Sequence, residues 1–376
     1  MTNAAAKSKR ITTVTGPMRS ANAIDFWRGV ALVMIYVNHI PGNWFGTLTL
    51  RNYAIADAAE LFVFLAGWSL SYATGGPQKP EPISQTVFRL TSRALQLYRA
   101  QIVITVLALA LLATLAITRN NPLYLEWHNA GSFFYDPTRT VIGIVLLTHQ
   151  LGYFNILPLY VVLLLYAPAM IAIYRWNRWA ALAVSLGIYL FALVTRTSFP
   201  HWPAEERWYF NPLSWQLLLV LGFLSAEFAR ESVRFRDVAR RLLPVAWIGF
   251  AAGAYIVLNQ MWPDPMRVPE PRLFFLFDKT YLSPIRVVSL ITIVLAFHTF
   301  FSLLERPLGP VTDLMCSFGR NSLPVFCVSS LLSLGGQVIR LIYDESFLLD
   351  FAVVLLGVGV MGLTAWFVEW RSRVPG

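Results

Sequence analysis

Charged residues and cysteines are both scarce in this sequence. Only 13% of the 376 residues are charged and 56% are hydrophobic, and the apolar excess recurs in block after block along the chain. A soluble domain does not have this composition. The two cysteines, Cys316 and Cys327, lie in or beside one late apolar segment and are too few to form a metal-ligand set by themselves. We therefore expect a membrane protein with no metal site and no tightly bound cofactor.

The charge that is present is mostly basic. The formal net charge is +10, with 30 Lys and Arg against 20 Asp and Glu. In a soluble protein this excess would suggest nucleic-acid binding, but no basic helix or platform for stacking bases is visible. The basic residues instead stand between apolar segments. We therefore expect contacts with membrane lipids and none with nucleic acid.

Ten apolar segments have about the length of 20 residues that a helix needs to cross a bilayer. They lie at 22–41, 56–75, 95–118, 155–174, 179–196, 213–229, 242–261, 284–303, 318–340 and 347–369. A further apolar piece, 141–150, is too short to cross, and we interpret it as a re-entrant or interfacial segment. The predicted fold class is all-α, a polytopic integral membrane protein of about ten transmembrane helices.

The Lys and Arg residues predict the orientation, because cytoplasmic loops carry their excess. With ten crossings and a cytoplasmic N-terminus, about two thirds of the 30 Lys and Arg fall on the cytoplasmic side. The strongest contribution is the arginine-rich segment 230–241 between the sixth and seventh helices. We therefore predict a multi-pass protein of the bacterial inner membrane, with both termini cytoplasmic. A basic tail at 1–21 precedes a single transmembrane domain at 22–370, and a second tail follows at 371–376.

Three ionisable residues lie in the first helix, where charged groups are costly and are therefore candidates for function. Asp25 and Arg28 are spaced i, i+3 and can form an ion pair, which has a purely structural interpretation as well. His39 follows Arg28 by eleven residues, roughly 16 Å and about three turns of helix, so both side chains face the same way. This geometry suits an extended anionic donor held by Arg28, with its reactive end at His39. The alternative is that His39 is an ordinary interfacial residue.

Two carboxylates open the second helix at the depth of His39. Asp57 and Glu60 are spaced i, i+3, and the short connection 41–55 makes the first two helices neighbours. A carboxylate beside an imidazole fixes its tautomer and raises its basicity, as removal of a proton from a sugar hydroxyl requires. We therefore predict a catalytic group of His39, Asp57 and Glu60.

Polar residues at other helix ends are candidates for binding. At the outer ends of the sixth and eighth helices we expect an acceptor cleft, for which the candidates are Asn211, Trp215, Gln216, Asp278, Lys279 and Arg286. Helix capping and snorkelling explain the same residues equally well. At the inner end of the ninth helix, a cation and the first amides suggest an anion site, with Arg320, Asn321 and Ser322. The outer loops are rich in aromatic residues, which suit a carbohydrate or an interfacial belt.

Motifs along most of the chain resemble those of the OpgC family. In order, they are DFWRG at 25–29, HIPGN at 39–43, TLRN at 49–52, DAAELFVF at 57–64, NILPLY at 155–160, FNPLSWQ at 210–216, DK at 278–279 and LSPIR at 282–286. This resemblance runs from about Ser20 to the last helix. It implies a membrane enzyme that succinylates osmoregulated periplasmic glucans. Succinyl-CoA would be the donor substrate on the cytoplasmic side, and the glucan would be the periplasmic acceptor.

The same family belongs to the transmembrane acyltransferase superfamily, which is marked by an Arg and a His with ten residues between them in the first helix. Arg28 and His39 have that spacing, and residues 319–323 resemble the superfamily's later Gly-x-x-Ser-Leu pattern. One departure is Ala66, where relatives commonly have Ser, so a hydroxyl role there is in doubt. On this resemblance we expect Arg28, Arg320 and Ser322 to bind the donor and His39 to act as general base.

Several alternatives stay open in the sequence. His39 either activates a glucose hydroxyl for direct attack on the thioester or serves an acyl-enzyme, and direct transfer is favoured because no Ser or Cys stands out beside it. A glucan transporter or flippase is the main rival, but no inverted repeat or pair of broken helices is visible. A purely structural subunit would not explain the intramembrane histidine with its carboxylates. The pattern does not distinguish a succinyl pocket from an acetyl pocket, and it leaves the oligomeric state open.

Overall fold

The computed structural model describes residues 22–74, 81–204, 206–343 and 345–373. The predicted tail 1–21 and residues 374–376 of the second tail lie outside these ranges. In the described residues two short strands, β1 (Pro200–His201) and β2 (Glu206–Arg207), pair antiparallel. The remaining regular structure is helical, which confirms the predicted all-α class. The α-helices are α1 (Ala23–Asn38), α2 (Ala58–Ala73), α3 (Ile83–Thr118), α4 (Gly131–Tyr135), α5 (Pro137–Val145), α6 (Ile156–Trp176), α7 (Arg178–Thr195), α8 (Pro212–Glu231), α9 (Val233–Arg241), α10 (Leu243–Leu258), α11 (Pro284–Phe297), α12 (Phe300–Leu304), α13 (Gly309–Arg320), α14 (Ser322–Ile342) and α15 (Phe347–Arg373).

Short 3₁₀ segments lie in the loops between these helices. They lie at Trp44–Leu48, Leu50–Asn52, Pro122–Asn129 and Arg272–Phe274. The first two form the α1–α2 connection. Asn43 caps the first of them, because its side chain accepts a hydrogen bond from the Gly46 amide. A local hydrogen bond within the α1–α2 connection therefore stabilises its conformation.

Each of the ten predicted spans contains a helix, so the polytopic architecture is confirmed. Within the described residues, seven helical segments are long and apolar enough to cross a membrane, and the bent pair α9–α10 makes an eighth candidate. Helices α1 and α2 have 16 residues each and are shorter than these segments, so their crossing stays a prediction. The predicted short segment at 141–150 falls in α5, which has nine residues and then turns. Three segments differ: α3 starts at Ile83, well before residue 95, the eighth segment breaks after Phe297 into α11 and α12, and the ninth breaks at Asn321 into α13 and α14.

Glycines bring two helix pairs into close contact. A Cβ built on Gly319 of α13 would lie 1.9 Å from the Asp25 carbonyl oxygen of α1, and Gly29 of α1 meets a carbonyl of α13 equally closely. Helices α2 and α8 meet in the same way through Gly67 and Gly222. Small residues allow this approach of backbones in membrane helices. These contacts fix α1 and α2, which carry the predicted catalytic residues.

Arg340 of α14 holds the connection that follows α1. Its guanidinium donates to the carbonyls of Pro41 and of Gly42 (3.0 Å) and forms a 2.7 Å ion pair with Asp350 of α15. Asp350 in turn accepts a hydrogen bond from the Trp44 amide at 2.8 Å. Both ionised side chains are only 6% exposed. The chain just after His39 is therefore tied to two further helices.

Candidate active site

A polar cavity of about 550 Å³ lies where α1 ends and α2 begins, and connecting loops form part of its wall. The residues that line it come from α1, the α1–α2 connection, α2 and several later parts of the chain up to Phe326, and they include His39, Arg51, Asp57, Tyr153, Lys279 and Arg286. Four of these, His39, Asp57, Lys279 and Arg286, are predicted site residues. Two residues that were predicted at the ends of different helices, Asp57 and Arg286, thus share one wall.

His39 caps the C-terminus of α1 and turns its ring into the cavity. Its amide donates to the Ile35 carbonyl, and its own carbonyl accepts from the Gln337 side chain at 2.5 Å. The ring lies 4.5 Å from the ring of Tyr153, measured between centroids. Among the described residues the buried Nδ1 atom of His39 has no hydrogen-bond partner. The backbone hydrogen bonds of His39 and the contact of its ring with Tyr153 therefore hold the imidazole in place. Its Nδ1 atom makes no hydrogen bond among the described residues.

Asp57 and Glu60 begin α2 with a capping box. The Asp57 carboxylate accepts from the Ala59 amide (2.9 Å), and the Glu60 carboxylate accepts from the Asp57 amide (3.1 Å). This reciprocal arrangement satisfies two of the free amides at the helix start. The i, i+3 spacing of the two acids thus has a local structural cause.

Both carboxylates also bind cations from the later part of the chain. Arg286 holds Glu60 through Nε at 2.6 Å and Nη2 at 2.5 Å, and Lys279 lies 2.5 Å from Asp57. In the described residues no hydrogen bond joins either acid to the His39 ring. Burial disfavours the Lys279 ammonium, but the charges of Asp57 and Glu60 outweigh burial and raise the pKa of Lys279 above its usual value. The catalytic roles of Asp57 and Glu60 stay predictions.

Three residues that the sequence analysis missed lie against His39. The His128 ring accepts or donates at 2.7 Å to the Gln337 side chain, whose amide group binds the His39 carbonyl. Tyr153 lies between the two histidine rings, 5.0 Å from that of His128. Burial lowers the pKa of His128, although its bond to Gln337 opposes the shift. No spacing signal could have found these residues, because 209 positions separate His128 from Gln337.

His128 and Tyr153 have unusual backbone conformations. Their φ angles are +56° and +67°, in the left-handed region that bulky side chains rarely adopt. Such conformations persist when the surroundings over-determine them, and they concentrate at functional sites. The backbone conformation at His128 is supported by the Gly152 amide, which donates to the His128 carbonyl at 2.8 Å. The loops that carry His128 and Tyr153 therefore adopt conformations of higher energy beside the cavity.

A second cavity of about 480 Å³ adjoins the first. The two share Gly152, Asn155 and Tyr209 in their walls, and the second continues past Arg207 and Asp278. Asp278, predicted as an acceptor residue, therefore lies beside the His39 cavity. Its carboxylate also accepts from the Tyr281 amide at 2.7 Å.

The other three predicted acceptor residues, Asn211, Trp215 and Gln216, are buried and do not line either cavity. Asn211 caps α8 and donates to the Thr197 carbonyl at 2.9 Å. The Trp215 indole donates to the Lys279 carbonyl at 3.0 Å, and Gln216 exchanges two hydrogen bonds with Ser185. All three side chains are buried. They support the loop that presents Lys279, and direct contact with an acceptor stays a prediction.

The predicted donor residues lie toward the other end of α1. The Arg28 guanidinium donates to the Ser322 hydroxyl at 2.5 Å, at the start of α14, and lies 5.8 Å from the Phe62 ring. Arg320 ends α13 and donates to Glu369 of α15 at 3.1 Å. Gly319 explains part of the Gly-x-x-Ser-Leu pattern, since its close contact with α1 brings Ser322 to Arg28.

Asp25 is buried at the start of α1, where it accepts a 2.5 Å hydrogen bond from the Asn22 side chain. Asn22 caps the helix by accepting from the Asp25 amide. Asp25 therefore has a structural role at this helix start, and its predicted pairing with Arg28 stays a prediction.

The chemistry available at the cavity follows from these groups. An imidazole stands beside fixed cations and one carboxylate, an arrangement suited to proton removal with stabilisation of a developing anion. Within the described residues no group of three or more His, Cys, Asp or Glu could hold a metal ion. A protein-family model described as OpgC protein matches residues 19–373. A comparison with curated proteins finds no match.

Proposed function

The chain belongs to the OpgC family, which makes it a multi-pass membrane acyltransferase acting on glucans, and we propose that it transfers succinyl groups from succinyl-CoA. The acceptor is a glucose hydroxyl of an osmoregulated periplasmic glucan, and the protein lies in the bacterial inner membrane with both termini cytoplasmic. The observation that carries the proposal is His39, an imidazole with a buried, unpartnered nitrogen on the wall of a cavity under the outer loops.

The proposed reaction is a direct acyl transfer. The glucose oxygen attacks the thioester carbonyl carbon, a C–O bond forms, and the C–S bond to CoA breaks. His39 accepts the hydroxyl proton and returns it to the departing CoA thiolate. The Lys279 ammonium, on the same wall, lies in position to stabilise negative charge on the carbonyl oxygen. Asp57 and Glu60 act by holding Lys279 and Arg286 in place, with Asp57 also favouring the protonated imidazole.

The proposed donor site lies at the inner end of α1. Arg28 and the first amides of α14 at Ser322 offer a cation and a helix N-terminus, which together suit the phosphates of CoA. Arg320 adds a second cation, and its ion pair with Glu369 must open to release it. The roughly 16 Å between Arg28 and His39 along α1 then spans the pantetheine arm.

The proposed acceptor site comprises the two adjoining cavities of the outer loops. Tyr209 lines both, and Trp262 lines the larger one, so aromatic faces are available for stacking on sugar rings. Asp278 offers a carboxylate to sugar hydroxyls. Asn211, Trp215 and Gln216 keep this loop region in place from below.

Replacing His39 with Ala tests the proposal. A general base contributes a factor of roughly 100 to 10,000 in rate, so His39→Ala should abolish detectable acylation. Mass spectrometry of periplasmic glucans, in cells lacking the native gene, measures the result. The matched control is His298→Ala, which removes an exposed histidine at the end of α11.

The control protein should acylate normally, and the His39→Ala cells should contain glucan without acyl groups. Normal acylation by a well-expressed His39→Ala protein would contradict the assignment of His39 as base. Loss of the glucan itself would instead favour a transporter.

A further inference from the structure

Arg51 is a cation on the wall of the His39 cavity without a carboxylate partner. It lies in the 3₁₀ turn Leu50–Asn52 and is exposed. In the part of the chain that the structure describes, its side chain makes no ion pair and no hydrogen bond. The other two cations on the wall differ, because Lys279 and Arg286 are bound to Asp57 and Glu60.

The charges around the cavity therefore do not balance. Three cations, Arg51, Lys279 and Arg286, face two carboxylates, Asp57 and Glu60. Each carboxylate already binds a cation at 2.5 Å. One positive charge is left, and it stands at the cavity wall on Arg51. A neutral sugar and a neutral acyl group would leave that charge uncompensated.

The turn that carries Arg51 has a fixed position relative to His39. The Thr49 hydroxyl, two residues before Arg51, donates at 2.7 Å to Asn38, the neighbour of His39. The Asn52 side chain donates at 2.5 Å to the Gly46 carbonyl. Arg51 is thus presented by an ordered turn tied to the end of α1, and not by a loose loop.

We propose that Arg51 binds the free carboxylate of the succinyl group and selects dicarboxylic acyl donors over acetyl. This inference rests on the proposed function. With the thioester carbonyl at His39, the distal carboxylate lies three carbon–carbon bonds of about 1.5 Å further on, in the cavity that Arg51 lines. A guanidinium matches a carboxylate with two parallel hydrogen bonds. An acetyl group ends before this position and gives no such contact.

Donor competition tests the role of Arg51. Purified protein is incubated with a glucan acceptor and equal amounts of succinyl-CoA and acetyl-CoA, and mass spectrometry measures the amount of each ester. In a second experiment, kcat/KM is measured for each donor separately. Arg51→Gln should lower kcat/KM for succinyl-CoA by about 10- to 100-fold, as loss of a charged hydrogen bond implies. For acetyl-CoA, kcat/KM should change by less than about twofold, because the acetyl group makes no contact with Arg51.

Two further variants control this experiment. Arg51→Lys keeps the charge and should retain part of the succinyl preference. Arg267→Gln removes an exposed outer-loop arginine that does not line the cavity, and it should behave as wild type.

The possible failures separate the two proposals. Equal losses with both donors, an unchanged succinyl preference, or a raised glucan KM with both donors would each overturn the role of Arg51 while leaving acyl transfer intact. A wild-type protein that acylates glucan with neither donor would overturn the proposed function, and the role of Arg51 with it.

Discussion

Glu60 and Arg286 form a buried ion pair beside the cavity. The Glu60 side chain is 0% exposed and that of Arg286 is 8% exposed, and two guanidinium nitrogens lie within 2.6 Å of one carboxylate oxygen. Burial of two charges is costly, and the pair compensates that cost only while both partners are present. The position of Glu60 at the helix start, where it accepts the Asp57 amide, adds a second bond that a neutral amide side chain would keep.

Removal of one partner should therefore destabilise more than removal of both. Glu60→Gln or Arg286→Gln alone leaves an uncompensated buried charge and should cost about 3 to 5 kcal/mol. The double variant should recover a large part of that loss. Thermal unfolding in detergent measures all three, with Arg139→Gln as the control, since that arginine is 70% exposed and its ion pair is worth about 0 to 1 kcal/mol.

The same variants examine whether Glu60 has a catalytic role of its own. Loss of acyl transfer in Glu60→Gln without any loss of stability would contradict the structural explanation and favour direct participation in the reaction.

Part of the candidate site was predictable because it depends on local spacing. His39 lies three turns after Arg28, and Asp57 and Glu60 follow within one short connection, so helix geometry brings them to one depth. The partners of the two acids were not predictable, since Arg286 lies 226 positions after Glu60 and nothing in the sequence pairs them. Trp215 has a contact that its position in the sequence did not indicate, because its indole donates to the carbonyl of Lys279, 64 positions later; its predicted contact with an acceptor stays a prediction.

At the scale of helices, the contact between α1 and α13 depends on the absence of side chains. A Cβ at Gly319 would lie 1.9 Å from the Asp25 carbonyl oxygen, and backbone atoms cannot move away as a flexible side chain would. This contact places Ser322 next to Arg28. Helix packing and the predicted donor site are therefore coupled at one residue.

Gly319→Ala should force α13 away from α1. Overpacking of this kind costs about 1 to 3 kcal/mol, so the unfolding temperature in detergent should fall, and donor KM should rise because Arg28 and Ser322 separate. Gly335→Ala in α14 is the matched control. A Cβ there meets nothing within 4 Å, and alanine is favoured over glycine in a helix by about 0.5 to 1 kcal/mol. Equal behaviour of the two variants would contradict the packing argument.

Hydropathy located the helices better than it located their ends. The ten apolar segments all contain helices because bilayer length sets a strong signal. The break at Asn321 lies in the polar stretch Arg320 to Ser322, but the ninth segment was predicted to begin at residue 318 and therefore included the end of α13. The start of α3 was not predicted because residues 83–94 are helical but include many polar residues, and hydropathy identifies only apolar helices.

For the whole molecule, the predicted orientation depends on the arginine-rich helix α9, which has an exposed Asp237 and lies between α8 and α10. Translocation of this many cations is unfavourable, so α9 should be cytoplasmic. The α1–α2 connection, with the exposed Thr47, should then be periplasmic.

Cysteine labelling tests this orientation. Thr47→Cys and Asp237→Cys are introduced separately into protein in which Cys316 and Cys327 are replaced by Ala. An impermeant thiol reagent applied to intact spheroplasts should label Thr47→Cys alone, and Asp237→Cys should react only after the membrane is opened. Labelling of Asp237→Cys in closed spheroplasts would reverse the orientation, and labelling of both positions would exclude the ten-span topology.

A line of polar groups across a bilayer carries the danger of an ion leak. Phe62 and Tyr160 lie about one turn beyond the cavity-lining residues Ala59 and Ile156, with their rings 5.7 Å apart and the Arg28 guanidinium against Phe62. Apolar rings repel a continuous water column, and a fixed cation below them repels protons and metal cations. On the proposed function, we expect this arrangement to keep the two compartments electrically separate while an acyl group crosses the protein.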